Sequence, residues 1–260
     1  MVRALLLYCR NYCYNLLIML KKMIHQTRFE LPVLNINLEG DVLVFDKPYQ
    51  CTSFDLVSKV KKYIRHSRDV ARNVPTTKIK IGHAGTLDPL ATGVMIICVG
   101  SFTKKIEQFQ NQEKEYTGTL MLGATTPSFD LEKPVDETFP VEHITVDKIY
   151  EIAKSFVGEQ EQVPPHFSAV KVDGKRAYLL ARQGIEPEIK PKKITISTFE
   201  ITRIALPEVD FSIVCSKGTY IRSIARDFGQ KLGSGAHLTA LRRTRIGEFR
   251  VEDAIKVISD

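Results

Sequence analysis

The segment Gly82–Gly93, which reads GHAGTLDPLATG, has the residue types and spacing that could do chemistry. Its glycines allow the backbone to approach a ligand closely or to adopt a positive φ angle. Asp88 is the one carboxylate in the segment, and Pro89 after it restricts its backbone and stiffens the loop. A rigidly held carboxylate suits nucleophilic or general-base chemistry. The alternative is that Asp88-Pro89 is simply a turn, because Asp and Pro are frequent turn residues.

The same segment gives no support to a nucleotide cofactor, since it matches neither the GxxxxGK[ST] nor the GxGxxG pattern of phosphate-binding loops. The five cysteines are scattered and form no CxxC pair, so a zinc site is not expected. Cys98 and Cys215 lie in apolar, strand-like runs and are predicted to be buried free thiols in a reducing compartment. The sequence therefore predicts neither a metal nor a cofactor.

The loop GHAGTLDPLATG resembles, almost letter for letter, the signature loop of the TruB family of pseudouridine synthases. Further matches to that family follow in order along the chain: Asp46-Lys47-Pro48 with Thr52-Ser53, Lys114-Glu115-Tyr116, Pro164-Pro165 with Phe167-Ser168-Ala169 and Lys171, Cys215–Arg222, Gly235–Leu238, and Leu241-Arg242-Arg243. The resemblance spans roughly residues 41–252. A long loop and several ordered motifs are hard to obtain by coincidence.

The resemblance implies an isomerase that breaks the N1–C1′ bond of one uridine, turns the uracil and rejoins it through C5. The expected substrate is the uridine at position 55, in the T-loop of elongator tRNAs, which must be flipped out of its stack to be reached. Because the chemistry is internal to the substrate, the resemblance implies no cofactor. The expected fold is α+β, with a central mixed, mainly antiparallel sheet flanked by helices and loops.

The resemblance also assigns roles residue by residue. Asp88 matches the catalytic aspartate, which attacks C1′ of the target ribose or assists removal of the 2′ proton. Arg222 matches the arginine that pairs with this carboxylate and keeps it ionised and oriented. The remaining matches concern the flipped nucleotide: a tyrosine stacked on the uracil at Tyr116, pocket walls at Tyr220 and Leu241, and a histidine that holds the nucleotide out of the stack at His83.

The matched motifs place a catalytic domain at residues 31–260, with an RNA-gripping insertion at about residues 164–192. In this insertion Asp173-Gly174 predicts a tight turn, and a basic helix would end at Gly184. The basic side chains expected to contact RNA are Lys171, Lys175, Arg176 and Arg182.

The charge distribution agrees with a polyanionic partner. The formal net charge is +7, which favours nucleic acid or an anionic surface. Basic residues concentrate in 57–80, 171–193 and 217–250, whereas acids dominate 107–161. This separation predicts one basic and one acidic face, although solvated helix faces would give a similar pattern. We expect a cytoplasmic monomer that binds tRNA, without a membrane or small-molecule cofactor.

Periodicity predicts the elements that position these residues. Strands are predicted at 41–45, 94–99, 116–122 and 209–215, the second of them central because its apolar run is continuous. Thr52 and Asp55 form a capping-box pattern before a helix. Further predictions are a helical stripe over 146–156 closed by Gly158, a helix from Thr219, a closing helix at 252–258 and an exposed basic loop at 66–80. Strands and helices without a regular βαβ rhythm favour an α+β fold.

The two ends of the chain and one turn raise further expectations. Residues 4–20 are mostly apolar but short for a membrane span and interrupted by Arg10 and Asn11, so we expect translation to begin at Met19 or Met23 and residues 1–30 to be an extension. Thirteen residues follow Gly247, so we expect a short form without the C-terminal PUA domain of many family members. Gln50 stands where the first motif usually has glycine, which leaves the local turn open.

Three other functions compete with the synthase interpretation. The first is a non-catalytic RNA-binding module on the same fold, against which the combination of Asp88, Tyr116 and Arg222 argues. The second is a protein anchored in a membrane by residues 4–20. The third is a related synthase that acts on ribosomal RNA or in a guide-RNA particle.

Overall fold

The computed structural model describes residues 29–70 and 79–259, so the expectations about the start of the chain and residues 4–20 lie outside the described residues. The α-helices are α1 (Ser53–Val70), α2 (Ile106–Asn111), α3 (Val146–Ser155), α4 (Ala177–Ala181) and α5 (Ile221–Leu232). Short 3-10 helices cover Ser101–Lys105 and Val251–Asp253. The strands are β1 (Phe29–Glu30), β2 (Gly40–Lys47), β3 (Ile81–His83), β4 (Thr92–Gly100), β5 (Lys114–Leu122), β6 (Ala124–Thr125), β7 (Glu137–Thr138), β8 (Gly158–Gln162), β9 (Lys171–Val172), β10 (Lys175–Arg176), β11 (Lys192–Ala205), β12 (Glu208–Cys215), β13 (Ala236–Ile246), β14 (Phe249–Arg250), β15 (Ile255–Lys256) and β16 (Ile258–Ser259).

A ten-stranded sheet forms the centre of the described part of the chain. Its strand order is β15-β2-β4-β13-β5-β12-β11-β8, with β3 paired to β4 and β14 paired to β13. Within this sheet β13 runs parallel to β4 and β15 parallel to β2, and the other pairings are antiparallel. The predicted α+β fold with a mixed, mainly antiparallel sheet is confirmed.

Strand β4 is buried on both faces, which explains its continuous apolar run. Met95, Ile97 and Val99 pack against α1, which contributes the predicted stripe Leu56, Val57, Val60 and Ile64. The alternate residues, including Ile96 and Cys98, pack on the opposite face in a second cluster. A strand covered on both sides has no solvent face that would require polar residues. The loop that precedes β4 is therefore attached to one of the most buried parts of the sheet.

The other half of the sheet has one covered face. Alternate residues of β5, β11, β12 and β13 form a hydrophobic cluster with α3 and α5. In α5 this face consists of the residues predicted from helical spacing: Ile221, Ile224, Ala225, Phe228 and Leu232. Packing of α5 on the sheet fixes the position of its first turn, which carries Arg222.

The capping box at the start of α1 is confirmed. The backbone N–H of Asp55 donates to Thr52 Oγ1, and the backbone N–H of Thr52 donates to the Asp55 carboxylate, both at 3.0 Å. The turn before it places Gln50 at a φ of 57°, a left-handed conformation that favours glycine. Asp173 and Gly174 both have positive φ between β9 and β10, as the predicted tight turn requires.

Several local predictions are wrong. Helix α1 continues to Val70, so the stretch 66–70 is helical rather than a loop, and 71–78 lies outside the described residues. Helix α3 ends at Ser155, and Gly158 opens strand β8 instead of capping that helix. The segment 252–258 contains a 3-10 turn and strand β15, because the chain pairs with β2 instead of packing as a helix.

Candidate active site

Asp88 lies in the loop between β3 and β4, and hydrogen bonds fix that loop on both sides. The Leu87 N–H donates to Ser53 Oγ at 2.9 Å, and this hydroxyl donates back to the Leu87 carbonyl at 3.0 Å. After Asp88, the Ala91 N–H donates to the Asp88 carbonyl at 3.1 Å and closes a turn. The carboxylate remains one-third exposed, so it is held by the loop and still accessible.

Arg222 makes a bidentate ion pair with Asp88. Its Nε donates to Oδ2 at 2.8 Å and its Nη2 to Oδ1 at 3.0 Å. The guanidinium is 5% exposed and also donates to the carbonyls of Ser128 and Phe167, at 3.3 and 3.1 Å. Burial opposes its charge, but the Asp88 and Asp130 carboxylates outweigh burial and raise the pKa of Arg222 above its ordinary value. Such a bidentate pair fixes the orientation of the Asp88 carboxylate.

Asp130 is a second carboxylate at this guanidinium, and the sequence analysis missed it. Its Oδ2 lies 3.7 Å from Arg222 Nε, and its Oδ1 accepts the backbone N–H of Glu132 at 3.0 Å. Asp130 is buried and belongs to the acid-rich stretch of the chain. Among so many acids no local pattern distinguishes it, so only its burial could have identified it. One buried cation thus lies between two carboxylates.

A cleft opens beside this ion pair. It is lined by Asp88, Leu90, Ala91, Asp130, Leu131, Arg222, Leu238, Thr239, Ala240 and Leu241. Leu90 and Thr239–Leu241 also border an adjoining groove of about 480 Å³, whose lining includes several threonines, Tyr49 and Arg242. Of the residues predicted for the site, Asp88, Arg222 and Leu241 line the cleft. The adjoining groove is large enough for a small-molecule-sized group such as a nucleotide.

The two predicted tyrosines lie close to the ion pair but outside the lining of the cleft. Tyr116 on β5 is buried in the core cluster that also contains Leu87. Burial raises the pKa of both Tyr116 and Tyr220, and the Asp88 charge raises each further. Tyr220 precedes α5, and its backbone N–H donates to Gln162 Oε1 at 2.8 Å. Stacking of Tyr116 on a flipped base stays a prediction.

His83 ends strand β3 and pairs with Ile97 of β4. Its half-buried ring does not line the cleft, and its Nδ1 has no hydrogen-bond partner among the described residues. Burial lowers the pKa of this imidazole, so the neutral form is favoured. The structure therefore does not bring His83 to the Asp88–Arg222 pair, and its contact with a substrate nucleotide stays a prediction.

Lys47 is a buried cation beneath the loop that the sequence analysis did not single out for a role. Its Nζ donates to the carbonyls of Cys51 and Pro48 at 2.6 and 3.0 Å and approaches that of Pro89 at 3.4 Å. Burial lowers its pKa to about 8, although the nearby Cys51 and Asp88 charges oppose this. The lysine ties the chain after β2 to the turn that carries Asp88.

The basic residues predicted to contact RNA lie together on the hairpin β9–β10 and on α4 and its end. All four side chains are exposed: Lys171, Lys175, Arg176 and Arg182. The Arg182 guanidinium lies 5.4 Å from the centre of the Tyr178 ring. The base of this insertion reaches the active site, because Phe167 supplies a carbonyl to Arg222. We call residues 164–192 the arm.

Within residues 29–70 and 79–259, no group of three or more His, Cys, Asp or Glu side chains is arranged to hold a metal ion. Over the same part of the chain, no helix is both long and apolar enough to cross a membrane. Cys98 and Cys215 are buried free thiols, as predicted.

Comparison with known proteins gives matches over nearly the whole described chain. Residues 72–221 match the family described as TruB family pseudouridylate synthase (N terminal domain), and residues 222–258 match the tRNA pseudouridylate synthase B C-terminal domain. The boundary between the two matches falls between Ile221 and Arg222. Asp88 therefore lies in the region that matches the N-terminal domain, and Arg222 in the region that matches the C-terminal domain. Among solved structures, a Cbf5-Nop10-Gar1 complex contains a similar chain, with a TM-score of 0.60 and 28% identity over 84% of this chain. This chain spans about half, 52%, of that neighbour.

Bacterial relatives are closer in sequence and in length. A protein of Phocaeicola vulgatus named tRNA pseudouridine synthase B is 57% identical over 85% of this chain and 92% of its own length. A protein of the same name from Flavobacterium johnsoniae is also 57% identical, over 85% of this chain and 94% of its own length. By this identity, this coverage and the matched loop around Asp88, the chain belongs to the TruB family of pseudouridylate synthases.

Proposed function

We propose that this protein is a tRNA pseudouridine synthase that isomerises the uridine at position 55, in the T-loop of elongator tRNAs. The observation that carries the proposal is the accessible Asp88 carboxylate, held by a bidentate pair with the buried Arg222 beside a cleft. The relatives named tRNA pseudouridine synthase B, at 57% identity over nearly their full length, support tRNA as the substrate class.

The reaction conserves every atom of the uridine. The N1–C1′ bond breaks, the uracil turns, a C5–C1′ bond forms, C5 loses its proton and N1 gains one. Asp88 takes part as an ionised carboxylate, either by attack on C1′ or by removal of the 2′ proton. Both routes require a carboxylate oxygen directed at the ribose, and the bidentate pair with Arg222 holds the Asp88 carboxylate in one orientation. No external oxidant, reductant or group donor is needed.

The target base must leave its stack before Asp88 can reach the ribose, which costs roughly a few kcal/mol. Contacts to phosphates and to unpaired bases of the T-arm offset that cost. We propose that the arm grips the RNA through Lys171, Lys175, Arg176 and Arg182. We propose further that Tyr116, Tyr220, Leu241 and His83 contact the flipped nucleotide. Because the proposed substrate is tRNA, we propose that the protein acts in the cytoplasm. We also propose that it acts as a monomer.

The test compares Asp88→Asn with Asp227→Asn on a T-arm stem-loop. Asp88→Asn keeps the size of the side chain but removes its charge and nucleophilic oxygen, so we expect no detectable pseudouridine and nearly unchanged RNA binding. Asp227→Asn makes the same change at an aspartate of α5 that pairs with Arg226, and should retain activity. Wild-type rates in Asp88→Asn would contradict the catalytic assignment.

Two other candidate functions predict different outcomes for pseudouridine formation. A non-catalytic RNA-binding module would bind the stem-loop but form no pseudouridine. A synthase for another RNA would leave uridine 55 unmodified and act elsewhere. The similar chain from a Cbf5 complex is only 28% identical to this chain. It therefore supports a synthase for another RNA less strongly than the 57% identical bacterial relative supports tRNA as the substrate. Position-resolved mapping of pseudouridine in cells with and without the protein decides between them.

A further inference from the structure

Arg243 on β13 is a buried arginine whose guanidinium contacts the backbone around Asp88. The residue is 2% exposed. Its Nε donates to the Val94 carbonyl at 2.8 Å, its Nη1 to the Thr86 carbonyl at 3.3 Å and its Nη2 to the Gly85 carbonyl at 3.4 Å. Among the described residues no carboxylate forms an ion pair with it. It differs in this from Arg222, which faces Asp88 directly.

The three carbonyls lie on both sides of Asp88. Gly85 and Thr86 precede Asp88 in the loop, and Val94 follows it in β4. The backbone of Arg243 pairs with Gly93 of β4 on one side and with Tyr116 of β5 on the other. Gly93 has a φ of 107°, and a side chain there would collide with the Arg243 backbone, so the two strands approach closely at this point. Arg243 therefore joins the first half of the Asp88 loop to the strand that follows it, and it lies beside Tyr116.

A buried guanidinium without a carboxylate is costly, because the charge loses its water and gains no counter-ion. An apolar side chain of similar volume would fill the same space without that cost. Arginine offers something that an apolar residue does not, namely a planar group with five N–H donors in fixed directions. Here the donors reach two carbonyls of the loop and one of β4, and a planar group with several fixed donors can bind all three at once.

We propose that Arg243 is a positioning residue for Asp88: it holds the Gly85–Asp88 backbone against β4, so that the carboxylate stays aligned with Arg222 and with the target ribose. The proposal rests on the proposed function of Asp88. It assigns Arg243 no contact with substrate. A loop that loses this support would move the carboxylate, and a displacement of about 1 Å in a catalytic group is enough to lower a rate by about a hundredfold.

The first test is Arg243→Lys, with Arg245→Lys as the matched control. Arg245 lies on the same strand but pairs with Glu115 and the Gly247 carbonyl. A lysine at 243 keeps the charge but is a point donor that cannot span the three carbonyls. We expect the single-turnover rate on a T-arm stem-loop to fall by at least about tenfold, with RNA affinity within about twofold of wild type. The control variant should change neither quantity. A wild-type rate in folded Arg243→Lys would overturn the proposal.

Hydrogen exchange gives a second readout that does not depend on activity. In the free protein, the amides of Leu87 and Ala91 are hydrogen-bonded within the loop and its anchors. They should exchange faster in Arg243→Lys than in wild type, while amides of α5 remain unchanged. Equal exchange in the loop would overturn the proposal. If wild type itself lacks activity, the proposed function fails, and the exchange data still decide whether Arg243 holds the loop.

Chemical rescue tests the guanidinium itself. Arg243→Ala leaves space for a guanidinium, and millimolar ethylguanidinium should restore at least about a tenth of the lost single-turnover rate. The same additive should have no effect on Arg245→Ala. Absence of rescue in a folded Arg243→Ala protein would overturn the proposal. Failure of both Arg243 variants to fold would also overturn it, because Arg243 would then be needed for the sheet and not for the loop.

Discussion

At the scale of single residues, the active site depends on where positive charge is buried. Arg222 is paired with Asp88 and lies near Asp130, so its burial is compensated by carboxylates. Lys47 and Arg243 are buried against backbone carbonyls, which compensate their charge less completely. All three cations contact segments that adjoin Asp88. Burial of these charges therefore lowers the stability of the fold around the Asp88 carboxylate.

Replacement of Arg222 by lysine tests the bidentate pair. Lysine preserves the charge, but it cannot donate to both oxygens of Asp88 and to the Ser128 and Phe167 carbonyls at once. We expect the single-turnover rate on a T-arm stem-loop to fall by about a hundredfold or more, as is typical when a catalytic group is misplaced. Arg226→Lys, on the same helix, should stay within about twofold of wild type. An active Arg222→Lys enzyme would show that charge alone is sufficient.

The lowered pKa of Lys47 predicts how the stability of the folded protein changes with pH. The folded protein holds the Lys47 proton less tightly than the unfolded chain, with a pKa of about 8 instead of the ordinary 10.5. Between these values the unfolded chain binds more protons, so stability rises with pH. The stability of wild type relative to Lys47→Met should therefore rise by up to about 1.4 kcal/mol per pH unit above pH 8.

Denaturant unfolding of both proteins at several pH values measures this difference. Taking the difference cancels shared contributions, such as those of Cys98 and Cys215, whose pKa burial raises to about 11. Cys51 lies beside Lys47 and is best replaced by alanine in both proteins before the comparison. A flat difference from pH 8 to 10 would mean that Lys47 titrates normally.

At the scale of elements, short connections decide how the site is assembled. The capping box of Thr52 and Asp55 starts α1 at a defined residue, and Ser53 in the first turn then anchors the Asp88 loop. The preceding turn needs a left-handed residue at position 50, where this chain has glutamine. The local departure from the usual glycine is therefore a source of backbone strain and not a different turn.

Gln50→Gly should stabilise the protein. Glycine removes the steric cost of the left-handed conformation, about 1–2 kcal/mol, but its unfolded chain is more flexible, which offsets about half of the gain. We expect a net increase of about 0.5–1 kcal/mol in the free energy of unfolding, measured by denaturant titration. Gln50→Ala removes the side chain beyond Cβ but keeps Cβ and therefore the strain, so it should give no such increase. Equal effects of both variants would contradict the strain argument.

At the scale of the whole molecule, the sheet brings together groups from distant parts of the sequence. Asp88 and Arg222 are 134 residues apart, and they meet because β4 and α5 both pack on the central strands. The arm projects exposed basic residues from the same region, since its base at Phe167 contacts Arg222. Asp88, the cleft beside it and the base of the arm therefore adjoin one another.

Charge removal from the arm should weaken RNA binding and flatten its salt dependence. In the triple variant Lys175→Ala, Arg176→Ala and Arg182→Ala, each lost phosphate contact lowers the slope of log Kd against log salt by about one unit. Lys104→Ala, Lys105→Ala and Lys154→Ala change the net charge equally, but these exposed lysines lie in or next to the acid-rich stretch. Binding of a T-arm stem-loop measured over a salt series compares the two. Equal slopes for the two triple variants would mean that the arm is a structural hairpin and makes no phosphate contacts.

The sequence by itself determined the local features of this protein. The continuous apolar run of β4, the stripe of α5, the capping box and the Asp173-Gly174 turn all follow from patterns within a few residues. The loop around Asp88 and the position of Arg222 came from family resemblance, and the structure brings this pair into contact. Local periodicity and turn chemistry are sufficient here because each depends on near neighbours along the chain.

Tertiary structure decided the rest. Asp130 and Arg243 acquire their roles only through burial next to residues far away in sequence, and no local pattern marks them. Within the segment 252–258, Ile255–Lys256 forms a short strand because β2 offers it a free edge, and α1 continues into the expected loop. These outcomes depend on strand pairing between distant segments and on desolvation. Both arise only in the packed sheet, so the propensities of a short segment cannot predict them.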